Sequence, residues 1–247
     1  KLDSDVTVAG LTFNNKVANQ TIASTTAEML ILESGSKVTV DAGSHSISAD
    51  VNGVGTVTSG GPGALTLSGT TNFIGGSVFA NGGSLTIPSS ATLSVNGERF
   101  LANNGIAMVL SGILNVRDWG TVGAGEGCPG APESTMILKD SGQLNMQTSF
   151  FIVGDEGLND GRLTIQDSAE LNASMLILGQ YGFGTKGYVI QEGNSAVNLT
   201  LLAPDSLWYP IPALQIGSSA SIDWGGTAGN GQGEYHLNGG TLTAHSI

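Results

Sequence analysis

The sequence predicts an all-β fold, and within that class a right-handed parallel β-helix (a β-solenoid) of about nine or ten coils. Three observations predict it. Glycine is frequent, at 38 of 247 residues, while only 11% of residues are charged. Short aliphatic strings alternate with Thr, Ser and Asn, and almost nothing has helical period. Two degenerate units recur along the chain, so residues 1–247 are predicted to form one β-solenoid domain.

The first recurring unit is a pair of mostly aliphatic or β-branched residues closed by a glycine. It occurs at Thr121-Val122-Gly123, Ile152-Val153-Gly154, Ile177-Leu178-Gly179 and Gln215-Ile216-Gly217. Its glycines are 31, 25 and 38 residues apart. Because corners between strands need a positive φ or a missing Cβ, these glycines are predicted to stand at fixed corners of successive coils.

The second unit is a short alternating strand with Leu or Ile inward and Thr, Ser or Asn outward. Examples are Leu65-Thr66-Leu67, Leu85-Thr86-Ile87, Leu93-Ser94-Val95, Leu114-Asn115-Val116, Leu144-Asn145-Met146, Leu163-Thr164-Ile165 and Leu242-Thr243. The segments 144–171 and 171–197 align especially well as repeats. One coil cannot bury its apolar side chains alone, so stacking of coils is expected to build the core.

Two segments, residues 124–135 and 201–213, interrupt the repeats. The first contains a Pro/Gly run with the single cysteine, Cys128, and the second contains three prolines. Proline cannot donate to a strand ladder, so both segments are predicted to project as loops. Trp208 and Tyr209 make the second segment a candidate contact loop. The pair either folds back onto the solenoid wall or contacts a protein or a sugar.

Several stretches carry a resemblance to a known family. Gly63-Ala64-Leu65-Thr66-Leu67-Ser68-Gly69, with Asn72, Gly75-Gly76 and Asn81-Gly82-Gly83-Ser84-Leu85-Thr86-Ile87, resembles the autotransporter-associated β-strand repeat. Residues 235–243 are similar to the same unit. Such repeats occur in bacterial autotransporter passengers and in secreted proteins with a C-terminal sorting signal. The resemblance implies an exported bacterial β-helix, and it transfers no catalytic residues because the repeat has none.

The charge pattern excludes several partners. The net charge is −12, and the eight Lys and Arg residues are scattered along the chain. Without a basic patch, nucleic-acid binding is not expected. Without a run of about 20 apolar residues, membrane insertion is not expected either. A start at Lys1 with no signal peptide fits a mature exoprotein, so an extracellular or cell-surface location, in a bacterium, is predicted.

No catalytic residue is predicted. The best carboxylate sets for a polysaccharide-active enzyme are Asp155 and Glu156 with Gln180 one coil on, and Asp140 with Asp167. Residues one coil apart stack at about 4.8 Å, which brings such sets within the range of glycosidase carboxylates. Twenty acidic residues on about ten coils produce these neighbours by chance, so the chain is expected not to be an enzyme.

No cofactor and no metal site is predicted. The histidines, His45, His236 and His245, are spread along the chain, and a zinc site needs three or four converging ligands. His236 and His245 also lack cysteine or acidic neighbours in the repeat pattern. All three are therefore predicted to be surface residues.

The functional hypothesis is based on the two ends of the chain, because neither end has the polar cap that a solenoid normally needs. Either the chain is a fragment of a longer protein, or its ends complete each other in neighbouring subunits. The predicted subunit-interface residues are Val6, Val8, Leu11, Phe13, Leu237, Leu242 and Ile247. The leading hypothesis is an extracellular structural protein whose partner is itself, stacked head to tail into a filament, sheath or surface layer. The alternative is a surface adhesin or carbohydrate-binding passenger that contacts cell-surface glycans, and the third is a polysaccharide-active enzyme.

Overall fold

A computed structural model describes residues 1–124, 132–146, 150–155, 160–180, 185–200, 213–217 and 231–245. These residues form 26 strands and contain no helix. In chain order the strands are Val6–Asn14 (β1), Thr21–Ile22 (β2), Met29–Ala42 (β3), Ser44–Ile47 (β4), Asp50–Gly53 (β5), Val57–Gly60 (β6), Ala64–Leu67 (β7), Thr71–Ile74 (β8), Val78–Asn81 (β9), Ser84–Ile87 (β10), Thr92–Val95 (β11), Arg99–Asn103 (β12), Ala107–Leu110 (β13), Ile113–Val116 (β14), Trp119–Ala124 (β15), Ser134–Leu138 (β16), Gln143–Met146 (β17), Phe150–Val153 (β18), Gly161–Ile165 (β19), Glu170–Ala173 (β20), Met175–Leu178 (β21), Lys186–Gln191 (β22), Ala196–Leu199 (β23), Leu214–Ile216 (β24), Gln232–Leu237 (β25) and Thr241–Ala244 (β26). Within these ranges there is no helix of the length and hydropathy needed to span a bilayer.

The strands pair in parallel throughout, in three ladders that each take about every third strand. Ladder one contains the first parts of β1 and β3, then β5, β8, β11, β14, β17, β20, β23 and β26. Ladder two contains the second parts of β1 and β3, then β6, β9, β12, β15, β18, β21 and β24. Ladder three contains β2, β4, β7, β10, β13, β16, β19, β22 and β25. We call one strand from each ladder, taken in succession, a layer. The predictions of an all-β chain and of parallel strands are confirmed.

The register of ladder one follows the predicted repeats. Its partners Leu30, Val51, Asn72, Leu93 and Leu114 follow one another at intervals of 21 residues. Beyond Leu114 the intervals lengthen, because the connections between strands become longer. Leu144, Leu171 and Val197 then lie on successive strands, which confirms the alignment of segments 144–171 and 171–197.

The core lies between the ladders and runs through the layers as one cluster of buried side chains. Along β14, Leu114 and Val116 are fully buried while Asn115 between them is only half-buried. The same alternation recurs in β10, β11, β17 and β23. The prediction of Leu and Ile inward and Thr, Ser and Asn outward is confirmed for these strands.

The glycine of the first repeat unit occupies one corner of successive layers. Gly154, Gly179 and Gly217 directly follow ladder-two strands, and Gly123 is the second-last residue of β15. The φ values of Gly123, Gly154, Gly179 and Gly217 are 83°, 73°, 67° and 70°. A Cβ at Gly154 would meet the carbonyl oxygen of Lys186 in the next layer. The corner therefore needs glycine both for its left-handed backbone and for its close contact with the next layer. The positive φ predicted for these glycines is confirmed.

Long connections also concentrate at this corner, between ladders two and three. In earlier layers two or three residues suffice, as between β9 and β10, but later ones use residues 125–133, 154–160, 179–185 and 217–231. The predicted loop 124–135 joins β15 to β16 at this corner, although Ala124, Ser134 and Thr135 belong to those strands. The predicted loop 201–213 joins β23 to β24, between ladders one and two. Residues 125–131, with Cys128, and residues 201–212 lie outside the described ranges. The long connection 217–231 was not predicted from the sequence.

Candidate functional site

The first candidate surface is the outer edge of β1, which carries four of the predicted interface residues. Among the described residues β1 pairs only with β3, so its other edge has no strand partner. Val6, Val8 and Leu11 are half-buried, and Thr7 between the first two is exposed. Val8 and Leu11 pack against the core. The edge thus combines unpaired backbone groups with partly covered apolar side chains.

Phe13, the fourth of these residues, is only 3% exposed and packs on His45. The two rings stack with centroids 4.9 Å apart and an interplanar angle of 14°. The Gln20 N–H donates to Nδ1 of His45 over 3.0 Å, and Nε2 lies 2.7 Å from the carbonyl oxygen of Ala42. The prediction that His45 is a surface residue is wrong, because it occupies an inward position of β4, in register with Leu65.

The second candidate surface is the edge formed by β24, β25 and β26. Leu242 is half-buried against the core and Leu237 is 52% exposed. Ile247 lies outside the described residues. Like β1, β26 pairs with a single strand, β23, within the described residues.

A buried polar group lies one layer inside this edge, and sequence reasoning missed it. Gln191 is fully buried, and its Nε2 donates to the carbonyl oxygens of Ser195 (3.1 Å) and Thr241 (3.0 Å). The hydroxyl of Tyr235 donates to Oε1 of Gln191. Burial raises the pKa of Tyr235, because an ionised phenol would be poorly solvated there. The side-chain amide of Gln191 is therefore fully hydrogen-bonded.

The outward face of ladder one carries a chain of side-chain hydrogen bonds. Asn145 Nδ2 donates to Asn115 Oδ1 (3.0 Å), Asn172 to Asn145 (2.9 Å) and Asn198 to Asn172 (2.9 Å). We call these four residues the asparagine ladder. They share one register position in β14, β17, β20 and β23. The outward direction of Asn115 and Asn145 was predicted from the alternation, but the contact of the four side chains with one another was not.

The outward face of ladder two carries aromatic side chains around an arginine. The guanidinium of Arg99 lies 5.4 Å from the ring centroid of Phe79 and 5.5 Å from that of Trp119. Trp119 in turn lies 6.0 Å from Phe150. These distances suit cation–π and aromatic contacts, so the ring faces that meet Arg99 are not available for stacking on a sugar.

Further along ladder two the outward side chains are apolar and buried, unlike the predicted polar wall. Ile152, Met175 and Ile177 are at most 3% exposed and form a second cluster with Phe150. The sequence carried a signal for this, because β18 and β21 are continuous apolar runs. Such runs are typical of strands that are buried on both faces.

The candidate carboxylates Asp140 and Asp167 stack in adjacent layers as predicted, at turns between ladders three and one. Both have left-handed backbones, with φ of 59° and 60°. Oδ2 of Asp167 accepts a hydrogen bond from the Asp140 N–H (3.1 Å), and Oδ2 of Asp140 accepts one from the Ser111 hydroxyl (2.8 Å). Their contacts are those of turn residues, which Asp favours because it tolerates this conformation.

The other candidate set includes Asp155 and Gln180, which the backbone places in adjacent layers. The Asp155 N–H donates to the Gly123 carbonyl, and the Gln180 N–H donates to the Gly154 carbonyl. Both side chains are buried, and Glu156 lies outside the described residues. No group of three His, Cys, Asp or Glu residues that could hold a metal ion occurs in the part of the chain that the structure describes.

The remaining predicted residues lie on the surface or outside the described ranges. His236 is exposed as predicted, but the prediction that it has no acidic neighbour is wrong, because its Nε2 lies 3.0 Å from Oε2 of Glu234. His245 is exposed. Trp208 and Tyr209 fall in the undescribed segment 201–212, so the adhesin alternative stays a prediction.

Comparison of the chain with protein-family models, with curated proteins and with solved structures finds no match. The function proposed for the chain therefore rests on the geometry of its own residues.

Proposed function

We propose that this chain is an extracellular structural protein, a right-handed parallel β-helix whose copies stack head to tail into a filament, sheath or surface layer. The observation that carries the proposal is that the first and the last described layers each have an open strand edge. Each presents a parallel strand edge with half-buried apolar side chains in line with the core, Val8 and Leu11 at one edge and Leu242 at the other.

The order of strand pairing supports a helical path. The chain visits ladders one, two and three in turn and returns to ladder one a single strand further along. A parallel strand reached through such a connection almost always lies on a right-handed path. The layers are then the coils of the β-helix, and the 21-residue interval is the length of one coil without long connections.

Parallel pairing also supports head-to-tail contact. Because all the strands run in one direction, β1 of a second copy can add to the edge of the last layer in the same parallel sense. Such a contact uses two different surfaces, so it propagates into a filament when it does not close into a ring. The net charge of −12 makes copies repel one another, and salt should therefore favour assembly.

Two lysine variants of β26 test the proposal by electron microscopy of the purified chain over a range of concentrations in moderate salt. Leu242→Lys places a charge on the inward side of the edge and is expected to abolish filaments. Thr243→Lys places the same charge on the exposed side of the same strand and serves as the matched control, which should still assemble. Circular dichroism would check that both variants fold. Monodisperse wild-type monomers at high concentration would refute the proposal.

A further inference from the structure

The contacts of His45 join the first layer to the second. From the first layer come the ring of Phe13 and the N–H of Gln20, and from the second come His45 itself and the carbonyl of Ala42. We propose that His45 is an acid-sensitive latch that holds the first layer in place, so that acidification releases β1. The inference rests on the proposed function of the β1 edge and adds its regulation.

The hydrogen bonds assign the protonation state of the ring. Nδ1 faces the backbone N–H of Gln20 at 3.0 Å and must therefore accept, which leaves the proton on Nε2 to be donated to Ala42. A second proton could only go to Nδ1, where it would point at the N–H of Gln20. Two donors would then face each other, and the Gln20 N–H would lose its acceptor.

Burial adds to this penalty, because His45 is only 3% exposed. A charge taken up there is poorly solvated unless an acidic group pairs with it. Among the described residues, the hydrogen-bonding partners of the ring are these two backbone groups. The strands around it, β1, β2, β4 and β7, carry no charged residue. The charged residues of the adjoining loop and of β3 are all exposed to solvent: Lys16, Glu33, Lys37 and Asp41.

Release of the first layer is therefore coupled to proton uptake. Release therefore becomes more favourable as the pH falls. Uptake of one proton on release makes the opening equilibrium up to about tenfold more favourable per pH unit. In an assembly built on the β1 edge, acidification would then dissociate the copies.

Hydrogen–deuterium exchange of the full chain at monomer concentrations tests the latch at pH 7.5 and 5.0, after correction for the intrinsic pH dependence of exchange. In the wild type, residues 6–22 are expected to lose protection at pH 5.0, while the strands from β10 to β22 keep theirs. His45→Gln retains an acceptor and a donor but does not titrate, so its protection should be the same at both pH values. His236→Gln removes an exposed histidine and should behave like the wild type.

NMR titration of the three histidines in the wild type provides a second measurement that does not depend on how His45→Gln folds. The release of residues 6–22 should accompany the change in the ring signals of His45 and should be unaffected by substitution of His236 or His245. Equal wild-type protection at both pH values, or release that does not follow His45, would overturn the latch. The exchange measurement uses monomers, so it does not depend on assembly. If acid releases residues 6–22 but the chain forms no filaments, the proposed function is refuted and this inference stands. If the chain forms filaments but acid does not release residues 6–22, this inference is refuted and the proposed function stands.

Discussion

The side-chain amide of Asn172 donates a hydrogen bond of 2.9 Å to Oδ1 of Asn145, which lies 27 residues earlier in the chain. The asparagine ladder repeats this bond between Asn145 and Asn115 and between Asn198 and Asn172. These side-chain hydrogen bonds thus join successive layers, as the backbone hydrogen bonds of the strands do. A one-residue slip of any of these strands would turn its asparagine to the other face, so the asparagine ladder helps to fix the register.

Asn145→Ala is expected to destabilise the chain by about 1–2 kcal/mol, because it removes the partner of Asn115 on one side and of Asn172 on the other. Solvent replaces part of the loss, since these side chains are half-buried. Urea unfolding measures the effect. Asn96→Ala, at an exposed position, is the control and should change stability by less than about 0.5 kcal/mol. Equal effects of the two substitutions would mean that the asparagine ladder contributes nothing to stability.

Gly154→Ala should be more damaging than Gly35→Ala, although both glycines have a positive φ, of 73° and 77°. At Gly35 a Cβ would meet nothing within 4 Å, so only the backbone strain of about 1–2 kcal/mol applies. At Gly154 the Cβ would also meet the Lys186 carbonyl, which can move only with its strand. We expect a further loss on the order of 1–3 kcal/mol there, measured by thermal or urea unfolding. Similar losses at the two positions would show that the corner can relax.

The strands and corners were predictable because they depend on local chemistry. Gly123, Gly154 and Gly179 each follow a pair of aliphatic or β-branched residues. The alternation of β14 separates Leu114 from Asn115 without any tertiary information. The asparagine ladder was not predictable in the same way. It depends on which residues share a register position, and connections of different length hide that register in the sequence.

The alternation of β4 and β22 indicated that the buried polar residues point inward, but the residue types themselves favoured an exposed position. In Ser44-His45-Ser46-Ile47 the alternation places His45 on the same side as Ile47, and in β22 it places Gln191 on the same side as Val189. Histidine and glutamine are usually exposed, which favours the surface interpretation. What keeps them inside is a set of partners from adjacent layers, such as Gln20 for His45, and those partners are apparent only in the fold.

Tyr235→Phe is expected to destabilise the chain by about 1–3 kcal/mol, because Oε1 of the fully buried Gln191 would lose its donor. Tyr188→Phe removes a hydroxyl from a half-buried tyrosine on the outward side of β22 and serves as the control.

The raised pKa of Tyr235 adds a pH test. The folded state favours the neutral phenol, so wild-type stability should fall above about pH 10. Tyr235→Phe should lack that part of the alkaline decline, and an equal decline in both proteins would contradict the assignment.

Glu28 supplies an acid-sensitive contact that is separate from His45. The hydroxyl of Thr26 donates to its Oε1 (2.5 Å), and the backbone N–H groups of Thr26 (2.9 Å) and Thr25 (3.0 Å) donate to Oε2. These bonds, that from the Thr26 hydroxyl first, lower the pKa of Glu28 from 4.5 to about 2. A lowered pKa in the folded state means that the contribution of the turn is complete above pH 4.5 and is lost as the pH falls towards 2.

NMR titration of the Glu28 carboxylate should therefore show a midpoint near 2, with the amide signals of Thr25 and Thr26 shifting together. Glu28→Gln should remove this transition while leaving the release of residues 6–22 at mildly acidic pH unchanged, because the carboxylate is still ionised where imidazole groups gain their proton. Loss of both transitions in Glu28→Gln would mean that the turn, and not His45, holds the first layer. If Glu28→Gln loses the transition near pH 2 but keeps the release of residues 6–22 at mildly acidic pH, that release belongs to a group other than Glu28. This is the result that we expect from the hydrogen bonds of His45.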